Sequence, residues 1–337
     1  MARGRSQRER ILGLLREAEG FVSSQTICKE LQITRAAVWK QIQMLRRQGY
    51  SIRGVSSVGY ELCQVPDALR VLETDPGIGT SRIGGAILVK EETESTNDDL
   101  WELGRQGAEE GTVVIAEMQR AGRGRRGRQW VSPANLNLYM SVLLRPPFLP
   151  AEAAVITLMT GVVLCETMEE IFSLRPQMKW PNDLLLEGRK AAGILAEMNA
   201  EQESIHFLIL GIGVNLNMGA DMFPKDLRYP ATSVQIALGR SVERLPFVRK
   251  FLENLDRGYQ TLLREGGAST LQEWNRYCAH PEGWVEVSTA KETIRGRFRG
   301  LDEEGSMILE VSDTRTEKIR AGDVSRVYTE GKGPVSK

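Results

Sequence analysis

Residues 119–130 read Gln-Arg-Ala-Gly-Arg-Gly-Arg-Arg-Gly-Arg-Gln-Trp, and no regular element accommodates such a run. Arg123, Arg125, Arg126 and Arg128 are interleaved with Gly122, Gly124 and Gly127. Glycine loosens the backbone and lets it approach a ligand closely, while each guanidinium can grip a phosphate or carboxylate with two parallel hydrogen bonds. The same composition also occurs in solvated charge runs and in arginine–glycine tails that bind nucleic acid. Position separates these readings. The run follows the strand-like 112–118 and precedes the alternating 136–142, which makes it a loop hung between two strands of a packed domain. Loops held by a rigid scaffold are where binding groups concentrate.

A chain of 337 residues is long enough for two or three domains. Its formal net charge of zero hides an asymmetry: residues 1–63 carry 11 Lys/Arg against 5 Asp/Glu, and the remainder 33 against 39. A basic N-terminal module on an acidic body points to a polyanionic partner for the first part only. Cys28, Cys63, Cys165 and Cys278 are widely spaced, and His206 and His280 are the sole histidines. Neither a zinc cage nor a disulfide framework follows, so the thiols are expected to be buried or inert, in a reducing compartment. No apolar stretch is expected to approach the length of a membrane span, and the N-terminus lacks a signal-peptide apolar core. The expectation is a cytoplasmic protein with no membrane partner.

Residues 7–62 fit three helices and a hairpin. Ile11, Leu14, Leu15 and Ala18 give the first helix its apolar stripe, and Ser23 or Ser24 caps a short second helix ending near Leu31. Thr34 as N-cap and Gly49 as the C′ glycine bracket a third helix over 35–48. Val38, Ile42 and Leu45 share one face of it; Ala36, Lys40, Gln43 and Arg47 lie opposite, with Arg35 and Trp39 on the flanks. Small, basic and amide residues on the outer face suit a recognition helix in a major groove. Residues 50–60 read as a wing, with Arg53 placed to reach phosphate. The module is a winged helix-turn-helix, and its DNA-contacting set is Thr34, Arg35, Ala36, Trp39, Lys40, Gln43 and Arg53. A small helical adaptor is the alternative. Pro66 and residues 74–79 punctuate the exit. The divisions expected are 1–65, 66–280 and 281–337.

The middle division alternates strand patterns (86–89, 112–116, 136–144, 178–186, 193–198, 205–216) with helical ones, notably 152–172. Short spacers at 187–189 and 199–204 imply hairpins, hence an α+β domain: a mainly antiparallel sheet with packed helices. Besides the arginine loop, three segments read as site-forming. Glu94-Ser-Thr-Asn97 precedes a helix and by itself suits N-capping. Lys179-Trp-Pro-Asn-Asp183 places a lysine, an amide and a carboxylate on a strand that Pro181 must break, an edge or bulge position suited to nucleotide and metal. Lys190, entering the next strand, can point back to the same cavity, although single lysines are usually solvated. Residues 211–217 add Asn215 at a strand end, with glycines that strand packing would equally explain.

In order, these motifs resemble those of the biotin protein ligase family: Ser-Thr-Asn, Gly-Arg-Gly-Arg-Arg-Gly-Arg, Lys-Trp-Pro-Asn-Asp, Lys-x-x-Gly-Ile-Leu and Gly-x-Gly-x-Asn. With the winged helix, the chain resembles the bifunctional form, in which the ligase is also the biotin operon repressor. The resemblance spans residues 7–330. It implies an adenylate-forming, C–N bond-forming ligase that uses ATP, Mg²⁺ and biotin. Biotin and ATP give biotinyl-5′-adenylate, and the acyl group then passes to a lysine of a biotin carboxyl carrier protein. It assigns Ser95, Thr96, Asn97, Gln119, Arg123, Gly124, Arg125 and Lys190 to biotin. Arg123, Arg128, Trp130, Lys179, Asn182, Asp183 and Asn215 go to the nucleotide. Arg125, Lys190 and Asp183 form the catalytic set, with Asp183 also the candidate Mg²⁺ ligand. It further implies an adenylate-promoted homodimer that binds operator DNA.

Residues 283–330 alternate as five short strands, a small C-terminal SH3-like β barrel on which the family resemblance agrees. Arg297 and Arg299 there suit either closure over ATP or carrier, or plain solvation. Residues 218–280 read as mostly helical, without a legible function. Rival readings are a lipoate or octanoate ligase, a biotin-sensing repressor without turnover, and an RNA-binding element.

Overall fold

The computed structural model describes residues 7–18, 20–47, 50–64, 69–73, 78–227, 229–280 and 283–328. Helices α1 (Gln7–Glu17), α2 (Ser24–Leu31) and α3 (Arg35–Arg47) lead into an antiparallel ribbon of β1 (Ser51–Val55) and β2 (Gly59–Gln64). Each helix start has a local cause. The Ser23 hydroxyl accepts from the Thr26 amide at 3.0 Å, and Thr34 Oγ1 from the Ala37 amide at 3.2 Å. Both satisfy amides that a helix N-terminus leaves without partners. Val38, Ile42 and Leu45 are buried, while Arg35, Ala36, Trp39 and Lys40 are exposed and Gln43 partly so. In α1 the buried stripe is Ile11, Leu12 and Leu15; Leu14 and Ala18 are only partly buried. Helices α2 and α3 and strand β2 all pack against α1. Arg53 is exposed, yet it is tied to Glu61 across the ribbon and lies over the Phe21 ring. Gly49, Pro66 and residues 74–77, which carry the expected C′ position and domain exit, fall outside the described residues.

The second part of the chain is built on a seven-stranded sheet. Its members are β3 (Ala86–Lys90), β4 (Thr112–Ala116), β5 (Leu138–Leu144), β6 (Gln177–Lys179), β7 (Asp183–Leu186), β8 (Arg189–Ala200) and β9 (Ile205–Val214), in the order β3-β4-β5-β9-β8-β7-β6. The pairings from β4 to β6 are all antiparallel. The single strand expected over 178–186 is instead two, β6 and β7, joined at Trp180-Pro181-Asn182 through a cis peptide bond before Pro181. Proline cannot donate to a ladder, so the chain turns there and β6 becomes an edge.

Helices cover both faces of the sheet. Helix α4 (Thr96–Arg105) packs Leu100 against Val114, Leu143, Phe207 and Ile209. Cross-strand partners share a face, and Ile194 pairs with Ile212, one residue off the Phe207–Ile209 phase. This opposite face receives α5 (Ala154–Phe172) at Gly161, with α7 (Arg244–Glu265) and α8 (Ala268–Tyr277) packed on α5; the short α6 (Val234–Leu238) lies between β9 and α7 in sequence. Contrary to the sequence expectation, residues Pro150–Phe172 are long and apolar enough to cross a membrane. They read as a core helix, because most of this stretch is buried beneath α7 and α8.

Strands β10 (Trp284–Ser288), β11 (Thr293–Leu301), β12 (Met307–Ser312), β13 (Arg315–Ile319) and β14 (Asp323–Tyr328) form a small antiparallel sheet in the order β13-β12-β11-β10-β14. It belongs to the same compact unit as strands β4 to β9, residues 78–86 and 90–337; residues 1–77 with 87–89, the middle of β3, form the other unit. Cys165 and Cys278 are buried, and burial pushes the Cys278 thiol up to about 11. Cys63 departs from the expected burial, since it lies on the exposed side of β2.

His280 is buried with neither ring nitrogen hydrogen-bonded, and burial, helped by nearby Lys179, lowers its pKa to about 4. Between that value and the unfolded 6.5, the unfolded chain holds a proton that the native one refuses. Stability therefore falls as pH drops from about 6.5 to 4, by about 3 kcal/mol from this group. In urea melts over this range, wild type should lose stability relative to His280→Phe as pH falls, because the variant lacks that slope.

Candidate functional site

The arginine loop leaves β4 and returns to β5 as a folded excursion. Its neck is closed by Gly124 N donating to Arg128 O (2.7 Å) and Trp130 N to Gly122 O (2.8 Å). A Cβ on Gly122 would stand 2.6 Å from the Trp130 carbonyl, so this closure needs glycine. At the tip a short turn, Arg125–Gly127, carries Arg126 and Gly127 at positive φ (57° and 71°).

Every arginine of the loop has an anionic or carbonyl partner. Arg123 forks onto Asp98 at 2.6 and 2.5 Å and lies 3.6 Å from Glu197. Arg125 donates to Asn182 Oδ1 (3.3 Å), the Gly322 carbonyl (3.1 Å) and Asp323 Oδ1 (3.2 Å). Arg126 reaches the Ser288 carbonyl at 3.3 Å and lies 3.5 Å from Asp323, which also pairs with Arg128. One carboxylate from β14 thus faces three guanidiniums, with its side chain only 11% exposed. Burial opposes its charge, but the Arg128 hydrogen bond and the fields of Arg125, Arg128 and Arg126 prevail, holding it below the usual carboxylate range. Burial pushes Arg125 the other way, below the ordinary arginine value.

Opposite the loop lies the Lys-Trp-Pro-Asn-Asp turn. Asn182 Nδ2 donates to the Ile194 carbonyl at 2.7 Å, and Ile194 N to the Asn182 carbonyl at 3.0 Å. These bonds pin the turn to β8. Asp183 stands between two lysines. Lys190 Nζ is 2.5 Å from its Oδ1, though off hydrogen-bonding direction, and buried Lys179 is 3.9 Å from its Oδ2. Lys179 also lies 3.9 Å over the Tyr229 ring, and Lys190 5.3 Å over Trp130. Trp180 does something else: its indole donates to the Gly305 carbonyl in the turn between β11 and β12.

The floor is polar, and Thr96, Asn97, Gln119 and Ser141 form one hydrogen-bonded chain within it. Ser95 occupies the N-cap position of α4 but makes no capping bond; buried, it faces the cavity. The Thr96 amide and hydroxyl donate to Gln119 Oε1 at 2.9 and 3.1 Å. Ser141 Oγ lies 2.7 Å from Thr96 Oγ1 and 2.6 Å from Asn97 Oδ1, and Asn97 Nδ2 donates to Glu197 at 2.6 Å. The glycines of β8 and β9 explain the fit. A Cβ on Gly211 would collide with the Asn97 amide, and one on Gly213 would sit 2.6 Å from the Trp130 indole. These glycines seat site side chains, which strand packing alone would not require. Asn215 Nδ2 donates to the Thr232 carbonyl at 3.0 Å, joining β9 to the segment before α6.

All fourteen ligand-site residues singled out in the sequence line one cavity. The candidate DNA-contacting residues belong to the other compact unit. Several residues that line or support the cavity escaped sequence reasoning. Ser141 and Glu197 carried a signal, as polar residues inside apolar strand patterns. Tyr229, Phe223, Leu227 and Asp323 carried none.

Comparison with known proteins agrees with this geometry. Residues 89–215 match the biotin/lipoate A/B protein ligase family, 7–61 an HTH domain and 285–327 the biotin protein ligase C terminal domain. The protein named bifunctional ligase/repressor BirA in Bacillus subtilis strain 168 is 33% identical over 304 residues, covering 90% of this chain and 93% of that one. Its namesake in Escherichia coli K12 is 32% identical over 302 residues, covering 89% and 91%. The biotin protein ligase of Aquifex aeolicus, solved with biotin and ATP, superposes with a TM-score of 0.62 at 26% identity, over 72% of this chain and 99% of that one. The fold and site thus define a biotin/lipoate-type protein ligase joined to a helix-turn-helix module. The chain belongs to the family of bifunctional biotin ligase/repressors.

Asp323→Asn leaves three guanidiniums facing one another without an anion. The expected cost is about 2 kcal/mol, or several degrees in Tm. Added pyrophosphate should raise the Tm of the variant more than that of wild type, because it refills the vacated position; equal shifts in differential scanning fluorimetry would contradict this.

Proposed function

We propose that the chain is an ATP-dependent biotin protein ligase that also acts as a biotin-responsive, DNA-binding repressor. One observation carries the enzymatic half: a hydrogen-bonded polar floor, three clamped arginines (Arg123, Arg125 and Arg128) and two lysines flanking Asp183 share one cavity. A carboxylic acid with a pKa near 4 is already ionised at neutral pH and needs no base to attack the α-phosphate. The difficulty is electrostatic, since two anions must meet. Preorganised cations lower that barrier. Arg123, Arg125 and Lys190 are suited to the biotin carboxylate, with Ser95, Thr96, Asn97, Gln119 and Gly124 toward the rest of the molecule. Arg128, Trp130, Lys179, Asn182 and Asn215 are suited to ATP. The biotin oxygen bonds to the α-phosphorus, and the bond to the bridging oxygen of pyrophosphate breaks. Lys190 spans acid and phosphate as it leaves Asp183. Asp183 is then free to orient the carrier lysine, whose amine attacks the acyl carbon and expels AMP.

Mg²⁺ fits this site only as a companion of the nucleotide. Among the described residues no group of three His, Cys, Asp or Glu side chains could cage an ion, and Asp183 already faces two lysines. Mg²⁺ commonly rides on substrate phosphates with one or two carboxylates, and Asp183 is the carboxylate available for that role. There the ion would supply charge to the phosphate oxygens.

The DNA-binding half is supported by the exposed Arg35, Ala36, Trp39 and Lys40 on a capped α3. Arg53, paired with Glu61, serves phosphate only by changing partner. Homodimerisation promoted by the adenylate follows if ligand completes the ordering of the loop and lowers the entropy still to be lost on association. A dimer would present two recognition helices to a palindrome.

Exchange of labelled pyrophosphate into ATP should require biotin and ignore octanoate and lipoate, and Lys190→Ala should reduce it about a hundredfold. Near-normal exchange in that variant would remove Lys190 from the reaction. On palindromic DNA selected with the wild-type protein, Arg35→Ala or Lys40→Ala should weaken binding about tenfold. Ligation should stay intact, so parallel losses in both assays would contradict two separable modules.

A further inference from the structure

Five of the six tryptophans have a partner within the protein: Trp101 on Phe207, Trp130 beside Lys190, Trp180 on the Gly305 carbonyl, Trp274 on Phe298 and Trp284 beside Arg295. Trp39 has no ring or hydrogen-bond partner among the described residues and is 58% exposed. It stands on the flank of α3, whose other side buries Val38, Ile42 and Leu45. Arg35 and Gln43, four residues before and after, and Ala36, three before, share its side of the helix. Arg35, Ala36 and Lys40 are exposed and Gln43 partly so. At the far end Arg46 is engaged, since its Nε and one terminal nitrogen donate to the Ile52 carbonyl at 3.0 and 2.7 Å. Apart from Arg46, the exposed side chains described on α3 therefore lie in its first half, two cations and an alanine around one bare indole.

We propose that Trp39 is a specificity residue of the DNA-binding unit, whose indole reads thymine through its C5-methyl group in the major groove of each half-site. This deepens the repressor reading above and rests on it, naming a base that α3 selects. Thymine carries the one methyl group that a base edge offers in the major groove, where the other bases present donors and acceptors. An indole laid against that methyl removes apolar surface of both from water. Against a G·C pair it would cover several donors and acceptors while offering only its single Nε1–H, and polar groups buried without partners are costly. The preference is made as much by that penalty as by attraction. Arg35 and Lys40 supply charge for the phosphates that hold a helix in the groove, in a module with 11 Lys/Arg against 5 Asp/Glu over residues 1–63. Ala36, one turn earlier, leaves the ring uncrowded.

The test uses full-length wild type, Trp39→Ala and Trp39→Phe with biotin and ATP, on palindromic DNA selected with the wild-type protein. Thymines are replaced by uracil one position at a time, in both half-sites together, which deletes the methyl group and keeps every hydrogen-bonding atom. At one position wild type should bind the uracil form about tenfold more weakly, roughly threefold per methyl. Trp39→Ala should bind the thymine form about tenfold more weakly than wild type and show no difference between the two forms at that position. Trp39→Phe should keep part of the difference. The slope of log K against log salt should be the same for wild type and Trp39→Ala, because no phosphate contact is lost. An exposed side chain is being removed, so the Tm of both variants should stay close to wild type. If no thymine has a methyl effect that disappears with Trp39, the proposal is overturned. A uniform loss across sequences with a shallower salt slope would also overturn it, since Trp39 would then act on the phosphates and not on a base. If wild type selects no DNA sequence, the repressor reading falls and takes this role with it; if it selects DNA and the uracil effects ignore residue 39, the role of Trp39 falls alone.

Discussion

Three guanidiniums gathered around the Asp323 carboxylate hold the site half of the molecule together. Like charges packed this closely would repel, and burial would discourage each from staying ionised. A shared carboxylate answers both costs, and its place at the start of β14 makes the C-terminal sheet part of the cavity wall. Trp180 adds a second tie, from the Lys-Trp-Pro-Asn-Asp turn to the Gly305 carbonyl. The C-terminal sheet therefore touches both cationic segments of the site, through Asp323 on one side and Gly305 on the other.

Beneath these contacts the central sheet works as a platform whose smoothness is specified by glycine. Gly193 and Gly213 are cross-strand partners under Trp130, and Gly211 lies under Asn97. Removing side chains at these points lets an indole and an amide rest directly on the backbone. On the opposite face α5, α7 and α8 supply the apolar core, which explains why so apolar a helix as α5 belongs to the interior. Polar site and apolar core are separated by one strand thickness, as period-two alternation allows.

In the empty site the charges already have partners inside the protein: Lys190 on Asp183, Arg123 on Asp98, Arg128 on Asp323. In the proposed function, substrate anions would replace these partners and need not neutralise bare cations. This lowers the ordering cost of binding and keeps a strongly basic loop from gathering unrelated anions.

The sequence by itself determined the local elements and the chemical kinds of the site. A cap at Ser23 or Ser24, the cap at Thr34, the buried face of Val38, Ile42 and Leu45, and the hairpins of the central sheet all follow from near-neighbour periodicity and turn chemistry. So did the four segments whose side chains converge on the cavity, because each carried its own run of charged, amide or glycine residues. The tertiary structure decided which acids answer those bases. Asp323 is about two hundred residues from the loop it holds, Asp98 shares the first turn of its helix with a second acid, Asp99, and Tyr229 lies in a segment with no pattern of its own. It also split 178–186 into two strands at Pro181 and put Leu12 in the place expected for Leu14. Ion pairing depends on distance in space, and a linear chain gives no signal of a partner brought close only when its sheets and helices pack.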